Sequence, residues 1–152
     1  MPDRKLDDHG GGERPDLAWA AADIRERMSA SAFHRGLGLE VEAVRSGEVD
    51  LAMSTGVEHA NLAGRIHGGV LATLADTAAG LAVRTVIPPG SGHVTVTLDV
   101  QFLRAAEPGR LVGRGHVTKA GRRIAFADAE VTDASGGVLA RAQLTVAVTP
   151  PG

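Results

Sequence analysis

The stretch "NLAGRIHGGVLATLADTAAG", residues 61–80, sets a His-Gly-Gly triplet and one carboxylate, Asp76, in a run of small and apolar residues. Its periodicity predicts a helix from Gly68 to about Val86, which the prolines of "PPG" at 88–90 stop. This helix is apolar or small nearly all round, so we expect it to be buried on most sides. Asp76 lies on its small-residue face, where a carboxylate must be hydrated, paired or used in chemistry. The plainer interpretation is a structural carboxylate that caps a neighbouring loop.

The segments on both sides of this helix predict one sheet. Upstream, residues 15–30 have the apolar spacing of a first helix, and residues 39–53 alternate about a Ser46-Gly47 turn, as in a hairpin. Downstream, short connections predict an antiparallel meander, because parallel strands need long crossovers. The fold class is therefore α+β, with an antiparallel sheet curved around a long central helix. The downstream strands are predicted in 93–103, 110–119, 122–133 and 138–148, the first with Val94, Val96, Leu98, Val100 and Phe102 on one face.

Composition limits the function classes. Residues 1–15 carry few apolar side chains and predict a flexible tail, followed by a single domain over 16–152. A net charge of −2 disfavours nucleic acid and anionic membranes, and no apolar run approaches a bilayer span of about 20 residues. The absence of cysteine excludes disulfides and a cysteine nucleophile, and it favours the cytoplasm. The six histidines show no local metal-binding pair, so we expect neither a metal nor another cofactor.

The His-Gly-Gly triplet indicates an oxyanion site. A helix N-terminus presents unpaired backbone N–H groups, and glycines let a substrate approach them. Asp76 follows Gly68 by eight residues, about 12 Å along a helix axis. One helix cannot easily direct both groups at the same carbon. If both act on one carbonyl, a two-fold dimer supplies the N–H donor from one subunit and the carboxylate from the other.

With Asn61, His67-Gly68-Gly69 and Asp76 in the pattern "N(x5)HGG(x6)D", ahead of "QFLRAA" at 101–106, the sequence resembles the hotdog-fold acyl-CoA thioesterases. It most resembles the phenylacetate-degradation type, over about residues 33–149. The resemblance implies a hotdog fold and two subunits that share one continuous sheet. It also implies hydrolysis at the dimer interface, and often a homotetramer made of two homodimers.

The same resemblance assigns roles to single residues. Asp76 matches the catalytic carboxylate, either general base or nucleophile, and the Gly68 backbone N–H matches the oxyanion donor. Asn61 matches the side chain that holds the water or the thioester, and His67 shapes the turn beside it. Further substrate contacts are expected at Gly69, Thr95 and Thr97, and CoA phosphates at basic residues among Arg65, Arg84, Arg104, Lys119, Arg122 and Arg123, with Arg122 and Arg123 of the turn "KAGRR" preferred.

A thioester suits this set of groups. The CoA thiol, with a pKa near 8.5, leaves as a thiolate with little acid catalysis. The acyl group stays open between phenylacetyl, ring-hydroxylated phenylacetyl and short or medium chains, and the first helix, with Trp19 and Met28, is expected to cover its end. Two alternatives remain: a hotdog hydratase or dehydratase, disfavoured because residues 60–67 contain no Asp or Glu, and a non-catalytic acyl-CoA-binding module.

Overall fold

The computed structural model describes residues 13–152. The predicted helices and strands are present, and the main helix ends at Arg84, two residues earlier than predicted. A short second helix was not predicted. The expected flexible tail, 1–15, falls mostly outside the described residues. The elements are α1 (Leu17–Ala30), α2 (Ala32–Gly36), β1 (Glu40–Arg45), β2 (Glu48–Ser54), a 3₁₀ turn (Val57–His59), α3 (Gly68–Arg84), β3 (Gly92–Phe102), β4 (Arg110–Ala120), β5 (Ile124–Asp133) and β6 (Val138–Thr149).

The six strands form one antiparallel sheet in the order β1-β2-β4-β5-β6-β3. The predicted meander is confirmed for β4, β5 and β6. It is wrong for β3, which pairs with β6 and not with β4. From β3 to β4 is three strand spacings, about 14 Å. The seven residues 103–109 can span about 23 Å when extended, so a short connection did not require the two strands to be neighbours.

Helix α3 lies in the concave side of the sheet, as predicted. It packs against β2, β4, β5 and β6 with its buried leucines, alanines and Val83. Two glycines of β4 allow the close approach. A Cβ atom on Gly113 would stand 2.7 Å from Leu74 Cγ, and one on Gly115 would overlap the backbone of Ala78. No other side chain fits at these two positions without moving the helix.

Strand β3 contains a bulge at Val96, which changes its predicted faces. Thr95 pairs with Val146 and Thr97 with Thr145, so Val96 has no partner residue in the ladder. The single apolar face expected from the sequence alternation is therefore wrong. Val94 lies on the outer face of the sheet, whereas the helix-facing residues are His93 and Thr95 before the bulge, and Leu98, Val100 and Phe102 after it.

Helix α1 docks through a buried ion pair as well as through apolar residues. Its Ala20, Ile24 and Met28 are buried. Its Asp23 accepts a hydrogen bond from Arg84 of α3, whose side chain is only 4% exposed. Burial alone would raise the pKa of Asp23, but hydrogen bonds from Arg84 and Arg27 bring it below its ordinary value of 3.8.

Candidate active site

The first turn of α3 leaves the backbone N–H of Gly68 free. The Gly69 N–H donates to His67 Nδ1 at 2.8 Å, and the Val70 N–H donates to the His67 carbonyl at 2.9 Å. Within residues 13–152 nothing accepts a hydrogen bond from the Gly68 N–H. Gly68 is thus the position whose N–H can bind a carbonyl oxygen, while the Gly69 N–H is already used by the cap.

His67 serves as the N-cap of α3 through its imidazole. Because Nδ1 accepts the Gly69 N–H, the proton of the neutral ring lies on Nε2. This geometry agrees with the turn-shaping role expected from the sequence.

Gly68 lies against the end of β3. A Cβ atom at this position would stand 3.2 Å from the ring of Phe102, closer than most real Cβ contacts. Any side chain here would push the ring away or shift the first turn. Glycine therefore keeps the free N–H reachable next to an aromatic wall.

Asp76 is half-buried and is oriented by β3. Thr95 Oγ1 donates to Asp76 Oδ1 at 2.7 Å. The described residues offer no hydrogen-bond donor to Asp76 Oδ2, so this oxygen can accept a proton or attack a carbon. The bulge at Val96 decides which threonine is present here, because it turns Thr95 toward α3 and Thr97 toward the outer face. Of the two predicted threonines, the structure brings only Thr95 to the carboxylate.

Asn61 holds the loop that leads into α3. Its Oδ1 accepts hydrogen bonds from the backbone N–H groups of Ala63 and Arg65, at 3.0 and 3.1 Å. Two backbone donors on one side-chain atom identify that atom as the oxygen. The Nδ2 group of the exposed Asn61 is therefore left to donate to a water or a carbonyl oxygen.

The six basic candidates separate into two groups. Arg84 is wrong as a phosphate ligand, since its side chain is buried against Asp23 and also donates to the Ser91 carbonyl. Arg65 pairs with Glu107 and Arg104 with Asp133. Lys119, Arg122 and Arg123 have no ion-pair partner in the described part of the chain, and both arginines line a cavity of about 270 Å³ beside the C-terminal end of α3.

His93 is a residue of this region that the sequence analysis missed. It lies on β3 on the same face as Thr95, and its Nε2 is 3.5 Å from where a Cβ atom of Gly80 would be. Burial lowers the pKa of His93 below its ordinary 6.5, the charges of Arg84 and Arg27 lower it further, and Asp76 opposes the shift. A strand alternation that allowed for the bulge would have placed it beside α3.

Between residues 13 and 152 no helix is both long and apolar enough to cross a bilayer. Over the same residues, no three His, Asp or Glu side chains are grouped so that they could hold a metal ion.

Known proteins are similar to this chain in sequence and in fold. The family model of the thioesterase superfamily matches residues 63–140, which include α3, β3, β4 and β5. The chain belongs to the thioesterase superfamily. This thioesterase is 30% identical over 118 residues to human acyl-coenzyme A thioesterase 13, covering 76% of this chain and 84% of the human one.

Solved structures agree with that membership. The thioesterase superposes on a thioesterase family protein from Silicibacter pomeroyi with a TM-score of 0.82 and 26% identity, covering 86% of this chain and 98% of the other. It superposes on the E. coli PaaI protein of the phenylacetic acid degradation operon with a TM-score of 0.81 and 22% identity, covering 90% and 98%. The hotdog fold expected from the sequence is confirmed, and so is the assignment as a thioester hydrolase.

Proposed function

We propose that this thioesterase hydrolyses an acyl-CoA to the free acid and CoA, with Asp76 as the catalytic carboxylate. The observation that carries the proposal is the hydrogen bond of 2.7 Å from Thr95 to Asp76. It orients a half-buried carboxylate that lies on the small-residue face of α3. The same helix begins with the free Gly68 N–H. A carboxylate and an oxyanion donor are the two groups that hydrolysis of a thioester most needs.

The chemistry divides between three groups. The Gly68 N–H binds the thioester carbonyl oxygen and stabilises the negative charge that develops on it. Asp76 either removes a proton from the water that attacks the acyl carbon or attacks that carbon itself, and in both routes the CoA sulfur leaves as a thiolate. In the second route the acyl group stays on Asp76 as an anhydride, which water then hydrolyses to the free acid and the carboxylate. Asn61 contributes as a donor, through Nδ2, because its Oδ1 is used within the loop. His67 acts on Gly69 and supports the first turn.

A homodimer completes the site in this proposal. Gly68 and Asp76 are about 12 Å apart along the axis of α3, so each would work with the other group from a partner subunit. Strand β3 is at the edge of the sheet and, within residues 13–152, pairs only with β6. Its Val96 and Phe102 are 59% and 55% exposed, as expected for an edge strand that a second copy covers.

A tetramer of two such dimers is supported by a second apolar surface. Ile124 of β5 pairs with Ala147 of β6, which pairs with Val94 of β3, so the three lie in one row on the outer face of the sheet. Phe126 lies on the same face and is 44% exposed. Contiguous apolar surface of this kind is typical of a protein interface.

The nucleotide end of CoA is proposed to bind Arg122 and Arg123. These arginines are exposed, lack ion-pair partners among the described residues and line the cavity beside Val86. Val86 lies ten residues beyond Asp76, about 15 Å along the chain direction of α3. The pantetheine arm would span that distance. For the acyl group we keep phenylacetyl, its ring-hydroxylated form and short or medium chains, and for the compartment the cytoplasm.

The test is thiol release from acetyl-, hexanoyl-, benzoyl- and phenylacetyl-CoA by the wild type and by Asp76→Asn. We expect Asp76→Asn to lower kcat by about 10³-fold with little change in the free energy of unfolding. The chain offers a matched control in Asp128, a half-buried carboxylate on the outer face of β5 that accepts from Thr118 Oγ1 at 3.1 Å. Asp128→Asn should keep full activity.

The other outcomes identify the alternatives. A wild type that binds acyl-CoA without hydrolysing it would be a binding module, and Asp76 would then be structural. Hydration of an enoyl-CoA in place of thiol release would favour the hydratase. Equal losses in Asp76→Asn and Asp128→Asn would show that the effect is not specific to the proposed site.

A further inference from the structure

A cavity of about 380 Å³ lies between α2 and the first two turns of α3. Phe33 and Leu37 from the α2 segment form one wall, and Val70 and Thr73 of α3 form the opposite one. His67 and Gly69, the two residues that flank Gly68, also line it. The cavity therefore begins beside the free Gly68 N–H.

The walls of this cavity offer few free polar groups. The Thr73 hydroxyl donates to the Gly69 carbonyl at 2.8 Å, and the Gly69 N–H donates to His67. Phe33 is 60% exposed, so much of its ring is available to contact a ligand. An apolar ligand would cover the Phe33 ring without leaving a buried polar group unpaired.

The edge of the cavity carries a negative charge. Glu58 of the 3₁₀ turn lines it, with a side chain that is 68% exposed. A carboxylate on the ligand would be repelled there. The lining therefore disfavours an anionic ligand, and the apolar walls favour one without charge.

Helix α1, which the sequence predicted to cover the end of the acyl group, does not line this cavity. Met28 belongs to the core, with 5% exposure, and Trp19 does not line this cavity. The aromatic wall comes instead from α2, the helix that the sequence analysis did not predict.

We infer that the cavity between α2 and the start of α3 binds the acyl group, and that Phe33 and Leu37 make the enzyme select uncharged apolar acyl groups longer than acetyl. The inference rests on the proposed function. When the thioester oxygen accepts from the Gly68 N–H, the first carbons of the acyl chain lie next to His67 and Gly69, which line the cavity. An apolar chain then continues between Phe33 and Val70.

The test uses the variants Phe33→Ala and Leu37→Ala. The control is Trp19→Ala, because Trp19 is an exposed aromatic residue on α1. Hydrolysis of acetyl-, hexanoyl-, phenylacetyl- and succinyl-CoA is measured for each. In Phe33→Ala we expect kcat/KM to fall about tenfold for hexanoyl- and phenylacetyl-CoA and less than about twofold for acetyl-CoA. Trp19→Ala should leave these ratios unchanged. The wild type should use succinyl-CoA poorly, and Glu58→Gln should improve its use.

Three results would overturn the inference. Equal losses for all acyl groups in Phe33→Ala would mean that the cavity holds a part common to every CoA ester. Unchanged ratios in both Phe33→Ala and Leu37→Ala would leave the cavity without a role in selectivity. A changed ratio in Trp19→Ala alone would return the acyl site to α1.

The proposed function is tested separately by binding. The Kd for hexanoyl-CoA relative to that for acetyl-CoA is measured by calorimetry for Asp76→Asn alone and for the double variant that adds Phe33→Ala. We expect the double variant to lose the preference for hexanoyl-CoA over acetyl-CoA in binding, where no turnover takes place. If the wild type hydrolyses no ester, the proposed function fails, while this ratio still decides whether the cavity binds the acyl group.

Discussion

The two halves of α3 differ in their burial and in the partners of the charged residue that each contains. From Ala78 to Arg84 every residue is buried, whereas from Gly68 to Thr77 only Leu71, Leu74 and Ala75 are. The buried half carries Arg84, which is paired with Asp23 and joins α1 to α3. The open half carries Asp76, which has one oxygen oriented by Thr95 and the other free. The charge in the buried half is therefore neutralised by an ion pair between two helices, whereas the charge in the open half keeps one oxygen without a donor among the described residues.

Both halves of the helix contact the same edge strand. Strand β3 runs beside α3 in the opposite direction, with Phe102 at Gly68, Thr95 at Asp76 and His93 at Gly80. β3 contacts both halves, so the difference between the halves lies in their burial. Changes in the buried half should therefore affect stability, and changes in the open half should affect activity.

The largest expected effect on stability follows removal of Asp23. Asp23→Ala leaves the buried guanidinium of Arg84 without its carboxylate, so the free energy of unfolding should fall by about 3 kcal/mol. Urea unfolding measures this, and kcat of the folded fraction should stay unchanged. Arg27→Ala is the control, because Arg27 binds the same carboxylate from an exposed position and should cost about 0.5 kcal/mol. A loss below about 1 kcal/mol in Asp23→Ala would show that Arg84 finds other acceptors.

A smaller effect, on activity, is expected at Thr95. Thr95→Val keeps the shape of the side chain but removes the hydrogen bond that orients Asp76, and kcat/KM should fall about tenfold, equivalent to about 1.4 kcal/mol. The matched control is Thr118→Val, which removes the corresponding bond to Asp128 on the outer face. Steady-state thiol release of the two variants decides the point. If both variants lose activity alike, the hydrogen bond from Thr95 to Asp76, the proposed catalytic carboxylate, has no special effect on activity.

The smallest effect is expected at His67, which caps the open half. His67→Ala removes the acceptor for the Gly69 N–H and should lower the free energy of unfolding by about 1 kcal/mol, with a modest loss of activity. His67→Asn should restore both, since asparagine is a good N-cap. Urea unfolding and kcat/KM are measured together on each variant. A loss of activity above about 100-fold in both variants at normal stability would make His67 catalytic.

Local pattern was enough to predict where the candidate residues lie along α3. The His-Gly-Gly triplet and the small-residue face around Asp76 lie within one helix, and helical periodicity alone relates them. The family resemblance had already pointed to Gly68 as the oxyanion donor. The reason that Gly69 does not serve, which is that its N–H donates to the imidazole of His67, depends on a side-chain rotamer that a local sequence pattern does not give. The cavity wall at Phe33 was missed because α2 is only five residues long, too short for a periodic signal.

The sequence by itself determined the α+β class, the central helix, the hairpin of β1 and β2, and Asp76 as the carboxylate to test. Only the tertiary structure decided that β3 pairs with β6, that the bulge at Val96 turns Thr95 toward α3, and that Arg84 is buried in an ion pair. The physical reason is the range of the interactions. Periodicity records which face of one element is apolar, whereas strand order, register and charge pairing depend on contacts between residues far apart in the chain.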